Sequence, residues 1–284
     1  MPCSGSPLLK RRFKSLLTRL LALDDSYPTQ LTDKVAIQSL MDRLAPLSCA
    51  RKLIRLGPAG DGGYLLPDDL DGVEACFSPG VSLLSGFETA CAQRGMRVFL
   101  ADRSVEQPAE THPLFHFTRK NVGVTSNEEF MTMDDWVRLS LPGSRADLLL
   151  QIDIEGYEYE TFLGMSDALT RRFRIIAAEF HHLDQLWNRP FFRLATRAFD
   201  KILQTHSCVH IHPNNCAGTI DKDGLSIPLA AEFTFLRNDR ITDPSYACEF
   251  PHPLDRDNCE CRRLQLAKCW HRLSELGQPV PTRA

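Results

Sequence analysis

The sequence predicts an α/β chain built on a mostly parallel, seven-stranded sheet, with helices on both faces and an antiparallel strand at one edge. Three observations predict it. Apolar runs of strand length alternate with segments of helical period over most of the chain. Asp147–Ile154 (DLLLQIDI) is apolar without alternation, as a central strand covered on both faces must be. The last two strand-like runs have no helical crossover between them, so they should pair as an antiparallel hairpin.

The first 50 residues read as a basic helical extension. Lys10, Arg11, Arg12, Lys14 and Arg19 precede the first acid, Asp24, and interleave with Leu8, Leu9, Leu16, Leu17, Leu20 and Leu21 at roughly helical spacing. Such a stretch suits a transit peptide, a helix in peripheral contact with a membrane, or an extra helix packed on the domain. A second helical stretch lies around Ile37–Leu47. The main domain spans residues 51–240. Its first strand, Val73–Phe77, ends at Ser78-Pro79-Gly80. Leu83–Arg94 has helical period and stops at Gly95. Arg97–Leu100 is the second strand, Phe115–Val124 contains the third, and Asp147–Ile154 is the fourth. Tyr157–Leu169 reads as a helix after Gly156. Arg174–Phe180 is the fifth strand, and Pro190–Gln204 is a helix with proline in its first turn. Cys208–His212 and Glu232–Leu236 flank a turn-rich stretch. Residues 241–284, rich in Pro, Asp and Cys, read as a tail packed on the domain.

The 284 residues are 43% hydrophobic and 24% charged, which suits a large packed core and excludes a disordered chain. A formal net charge of −3 argues against a nucleic-acid binder driven by bulk charge. No apolar run approaches the roughly 20 residues of a transmembrane helix. No secretory signal is read and the ten cysteines are sparse, so reduced thiols and a cytoplasmic location are the expectation. Cys248, Cys259, Cys261 and Cys269, with His252 nearby, are a zinc alternative that lacks paired C-x-x-C spacing.

In an open parallel sheet, ligands bind beyond the carboxyl ends of the strands. The residues there are polar: Gly80 after the first strand, Asp102 after the second, Asn121, Asp153 with Glu155, Glu179 with His181, and His212 with Asn214 and Asn215. A glycine at position 80 lets backbone approach a ligand, and the helix that follows offers N–H groups to an anion. An acid 22 residues later can hold both ribose hydroxyls, so the pair has the layout of a nucleotide-cofactor site. The G-x-G-x-x-G of dinucleotide enzymes is absent. Asp153 and Glu155, two apart where the central strand ends, would point the same way. They could take a proton, hold a divalent ion or orient a hydroxyl; equally, Asp153 could cap the next helix, with Glu158 in its first turn.

Asp153–Glu158 (DIEGYE), after an apolar strand and before an amphipathic helix, resembles the signature of FkbM-type methyltransferases. Asp61-Gly62-Gly63-Tyr64, Asn121-Val122-Gly123-Val124, Met133-Asp134-Asp135-Trp136, Glu179-Phe180-His181 and His212-Pro213-Asn214-Asn215 resemble further motifs of that family in the same order, over about residues 52–255. Gln151 stands where the family often has Lys, and Val81-Ser82 where it has a second glycine. The resemblance implies a Rossmann-like class I methyltransferase fold and an S-adenosylmethionine cofactor. It implies that Asp102 holds the ribose, Asn121 and Val122 the adenine, and Gly80 with Asp61, Gly62 and Gly63 the methionine end. Asp153, Glu155 and His181 are then the candidates for deprotonating a hydroxyl of a small-molecule or glycan acceptor. No sequence feature requires a divalent metal, but the same acids with Glu179 would bind one. The competing readings are a metal-dependent nucleotide-sugar glycosyltransferase and a non-catalytic binding module.

Overall fold

A computed structural model of the chain describes Thr18 and residues 28–81 and 84–272; the rest of the basic leucine-rich stretch, Ser82 and Leu83 (the start of the helix expected to Arg94), and residues 273–284 of the expected tail lie outside the described residues. Seven strands form one sheet: β1 (Ala75–Pro79), β2 (Arg97–Ala101), β3 (Phe115–Thr118), β4 (Leu148–Ile152), β5 (Phe173–Phe180), β6 (His206–Pro213) and β7 (Ala231–Arg237). Their spatial order is β6-β7-β5-β4-β1-β2-β3. β1 to β5 run parallel, and β7 runs antiparallel to both β5 and β6. The antiparallel strand therefore lies one place in from the edge, which corrects the expected edge position. A helical crossover carries the chain from β5 to the start of β6, so β6 runs with the others. The return strand β7 then fills the gap between them.

Successive strand residues face opposite sides of the sheet and enter two different cores. Ala75 and Phe77, Leu148 and Leu150, and Ile176 and Ala178 belong to one; Cys76, Leu149 and Ala177 belong to the other. Helices are α1 (Lys34–Leu44), α2 (Gly86–Ala92), α3 (Met133–Ser140), α4 (Glu158–Gly164), α5 (Asp167–Thr170) and α6 (Arg189–Leu203). The first core takes residues from α1, α3, α4, α5 and α6. The second takes α2 and an antiparallel hairpin, Leu53–Leu56 with Tyr64–Pro67.

Each long helix follows from its pattern. Asp33 accepts the Val35 N–H to cap α1, and Ile37, Leu40, Met41 and Leu44 then fall on one buried face. Pro190 opens α6, which buries Ala195, Ala198, Phe199, Ile202 and Leu203. Burying a side chain of the size of Phe199 contributes roughly 1.5–3 kcal/mol.

Local departures from expectation have local causes. The helix expected over Tyr157–Leu169 stops at Gly164, and Ser166 caps the next turn by accepting the Leu169 N–H. The third strand ends at Thr118, and Asn121–Val122 pairs instead with Phe130–Met131. Thr132 accepts the Asp135 N–H and starts α3, which periodicity alone did not reveal. The turn-rich stretch contains a hairpin, Thr219–Lys222 with Leu225–Pro228.

The two ends of the chain meet. Leu47–Ser48 pairs with Ser245–Tyr246, and Trp270 is buried in the first core beside α1. Cys216 and Cys259 form a disulfide, with Cα atoms 5.9 Å apart. That corrects the expectation of reduced thiols at these two positions. It also removes Cys259 from any zinc set; Cys269 packs against the Ser226 carbonyl, while Cys248 and Cys261 are exposed. Among the described residues, no helix is long and apolar enough to cross a membrane.

Candidate functional site

The chain leaves β1 toward β2 on one side and has β4 on the other, so the sheet reverses direction of winding between β1 and β4. That crevice is where ligands enter open α/β sheets. Here it holds a cavity of about 360 Å³ lined by Gly80, Asp102, Asn121, Val122, Asp153, Glu155 and others, Phe130 and Tyr157 among them.

Gly80 sits at the joint. Its φ is +90°, and a Cβ there would stand 1.6 Å from the Asp153 carbonyl oxygen. The glycine is needed because two backbone segments touch here, a requirement separate from any approach by a ligand. Asp102 organises the next turn: one carboxylate oxygen accepts the Val81 N–H at 3.0 Å, and the other accepts the Ser104 N–H at 2.6 Å. That second oxygen also accepts the Ser104 hydroxyl at 2.7 Å, so of about four acceptor positions the one left for a ribose hydroxyl is on the oxygen that faces Val81, and a second opens when the Ser104 hydroxyl turns away. The Asn121 side-chain oxygen accepts the Arg103 N–H at 3.4 Å, and Val122 is buried beneath the cavity.

Asp61, Gly62 and Gly63 do not line this cavity. They form the turn of the hairpin, where a Cβ on Gly63 would meet the Pro58 oxygen at 2.2 Å. Asp61 is tied to the far side of the site: Asn258 of the tail donates to it at 3.3 Å and to Glu232 at 2.8 Å.

The exits of β4 and β5 build a second, acidic half. Both Asp153 and Glu155 line the cavity, but strand alternation is not the reason. β4 ends at Ile152, and Glu155 turns the chain with φ +56°, a left-handed conformation uncommon for a side chain of its kind. Its carboxylate stays exposed while Asp153 is largely enclosed. Gly156 follows at φ +103°, with the His182 ring 2.8 Å from where a Cβ would be.

Glu158 proves to be the organiser of this turn. It is fully buried, and one oxygen accepts the N–H groups of Ile154 at 3.0 Å and Gly156 at 3.2 Å. The same oxygen meets His181 Nδ1 at 3.2 Å. The Tyr159 hydroxyl donates to the His181 carbonyl at 2.7 Å, fixing its backbone as well. His181 Nε2 consequently lies 3.8 Å from Asp153, 3.6 Å from Glu155 and 4.0 Å from Glu179. Glu179 in turn accepts from Asn214 at 2.8 Å.

This crowding shifts proton affinities. Burial alone would lower His181, but Glu158, Glu179 and Asp153 outweigh it and raise it to about 9. Burial, then Glu179, pushes Asp153 well above the usual carboxylate range. Burial also raises Glu179, and drives Glu232 up to about 8. The groups of the cluster face one another closely enough that the proton of one depends on the charge of the next. His181 is protonated near neutral pH, so in this state Asp153 is better suited than the imidazole to accept a proton.

His212 and Asn215, two of the polar residues expected to meet a ligand beyond the strand ends, are covered by the tail. His210 Nε2 lies 3.0 Å and His212 Nδ1 3.7 Å from Asp255, which the two imidazoles hold well below the usual carboxylate range. The Asn215 side chain accepts the Asn258 N–H and donates to the carbonyls of Cys259 and Cys261. Gln151 belongs to a buried polar chain through Ser78 and Tyr64; Ser78 also reaches Glu88, whose carboxyl is raised by burial.

A seven-stranded, mostly parallel α/β sheet with a polar cavity at its switch point is consistent with a Rossmann-like methyltransferase. Residues 80–209, which carry β2 to β5, the start of β6 and most of the site residues, match the family model for the methyltransferase FkbM domain. No curated protein matches the chain. Among solved structures it is similar to one titled "Crystal Structure of EvdMO1", at 12% identity and a TM-score of 0.27, covering 75% of this chain and 49% of that one. The chain thus spans about half the length of that structure.

Proposed function

We propose that the chain transfers a methyl group from S-adenosylmethionine to a hydroxyl of a small molecule or glycan. The observation that carries this is the continuity of the cavity, which runs from Gly80, Asp102 and Asn121 to Asp153 without a break. Asp102 suits a ribose diol, Val122 and Phe130 suit the adenine face, and Asn121 its polar edge. The Asp153 end suits the positively charged sulfonium. The acceptor oxygen forms a bond to the methyl carbon as the carbon–sulfur bond breaks, and the hydroxyl proton passes to Asp153. Alignment and one proton acceptor are then the main contributions of the protein. The family match supports methyl transfer over the nucleotide-sugar alternative.

Calorimetric titration with S-adenosylmethionine and its demethylated product tests the reading. Micromolar binding, weakened at least tenfold in Asp102→Ala, is the expected result. A folded chain that binds neither compound refutes it.

A further inference from the structure

The separations around His181 do not suit hydrogen bonding. At 3.8 and 4.0 Å from its two acids, Nε2 is beyond hydrogen-bond reach, yet it faces both. Asp153 Oδ1 is buried and has no hydrogen-bond partner, which ordinarily costs about 1–3 kcal/mol. One ligand atom each from Asp153, Glu179 and His181 lie within 4.8 Å of one another. Atoms bound to a common ion at about 2.0–2.2 Å are separated by about 3–4 Å, close to what is seen.

The second nitrogen of His181 supplies an independent observation. Nδ1 is held by Glu158, a carboxylate with no exposed surface that is itself fixed by two backbone N–H groups. A buried carboxylate behind a histidine orients the other ring nitrogen and strengthens it as a ligand. An arrangement serving only helix capping would not need the imidazole.

We propose that Asp153, Glu179 and His181 form a binding site for one divalent first-row cation, open on the side of the cavity to an acceptor oxygen. Two carboxylates and one imidazole favour Zn²⁺ or Mn²⁺ over Ca²⁺. Three protein ligands leave coordination positions free, and a cation there lowers the pKa of a hydroxyl bound beside it. With Asp153 engaged by a cation, the exposed Glu155, 3.6 Å from Nε2, takes over from it as the acceptor that passes the hydroxyl proton to water. The cation site stands on its own geometry; its role in presenting an acceptor rests on the methyltransferase reading.

Mn²⁺ is the cleaner probe, because Zn²⁺ would also bind the exposed thiols of Cys248 and Cys261. Electron paramagnetic resonance of the full chain should show one bound Mn²⁺ per chain. Glu179→Gln and His181→Ala should each weaken it at least tenfold, while their far-UV circular dichroism matches the parent. Asp153→Asn, nearly isosteric, is the second variant if either unfolds. S-adenosylmethionine binding is measured in parallel by calorimetry. Cofactor binding by a folded chain that takes up no stoichiometric Mn²⁺ overturns the cation site and spares the methyltransferase reading. Mn²⁺ binding unchanged in the folded variants overturns the site too. Site-dependent Mn²⁺ binding without cofactor binding upholds the site and overturns the methyltransferase reading.

Discussion

The two halves of the cavity are made in different ways. The half reached from β1 and β2 bonds its side chains to backbone N–H groups: Asp102 accepts those of Val81 and Ser104, and Asn121 that of Arg103. The half reached from β4 and β5 is made of buried acids that face other side chains. His181 lies 23 residues from Glu158, and Asn258 lies 26 from Glu232. The acidic half draws on β4, β5, β7 and the tail together, so its proton affinities depend on how these pack.

Gly80 joins the halves, so breaking it gives the largest expected effect. Gly80→Ala puts a methyl group into the Asp153 carbonyl at a left-handed φ. We expect a loss of about 4 kcal/mol or more in chemical denaturation. Gly95→Ala is the control: its φ is also positive, at +82°, but nothing lies within 4 Å of the added atom. It should cost only about 1–2 kcal/mol. Equal losses in the two variants would mean that the contact with Asp153 contributes nothing.

The next test separates the tail from the sheet. The Cys216–Cys259 bond closes a loop of 43 residues and lies beside Asn258, which reaches Glu232 and Asp61. Cys216→Ser should lower stability by about 3 kcal/mol. It should also open residues near 259 to limited proteolysis while leaving cofactor affinity within about twofold. A linked 216–259 peptide should appear in non-reducing mass spectra of the parent, and its absence there would remove the basis of the prediction.

How much of this was legible in the sequence follows the same division. The strands, α6 and the polar residues at the strand ends were visible because their signals are periodic or adjacent in sequence. Gly80, Asp102, Asn121, Val122, Asp153 and Glu155 all reach one cavity. The role of Glu158 was not visible, since an acid in a first helical turn normally faces solvent. Only its burial against His181 shows otherwise. Glu232 reads as an ordinary strand residue until Asn258 and Glu179 close around it. The Cys216–Cys259 pair is hidden for a similar reason: spacing along a chain says little about which distant loops meet.

A control away from both halves comes from His206 at the opposite end of β6. Its ring is fully buried, with Nε2 2.7 Å from the Phe173 carbonyl. Burial lowers its pKa to about 4, against about 6.5 for an ordinary histidine. The unfolded chain therefore binds a proton below about pH 6.5 that the folded chain refuses until about pH 4. This contribution is complete above pH 6.5 and is lost on acidification. Between pH 7.5 and pH 5 it should remove about 2 kcal/mol of stability. His206→Gln should flatten that part of the pH–stability curve, and an unchanged slope would place the acid sensitivity elsewhere.

The smallest expected change in stability carries the most information about the acidic half. Glu158→Gln keeps an oxygen to accept the Ile154 and Gly156 N–H groups but removes the charge facing His181. Stability should fall by only about 1 kcal/mol, because the backbone bonds survive. The His181 pKa, raised to about 9 chiefly by this carboxylate, should drop by at least one unit in an NMR titration with chelator present. A purely structural Glu158 would move stability and leave the histidine alone. A shifted histidine in a chain of nearly parental stability would instead mark Glu158 as the residue that positions the imidazole, and so tie the helix start to the chemistry of the site.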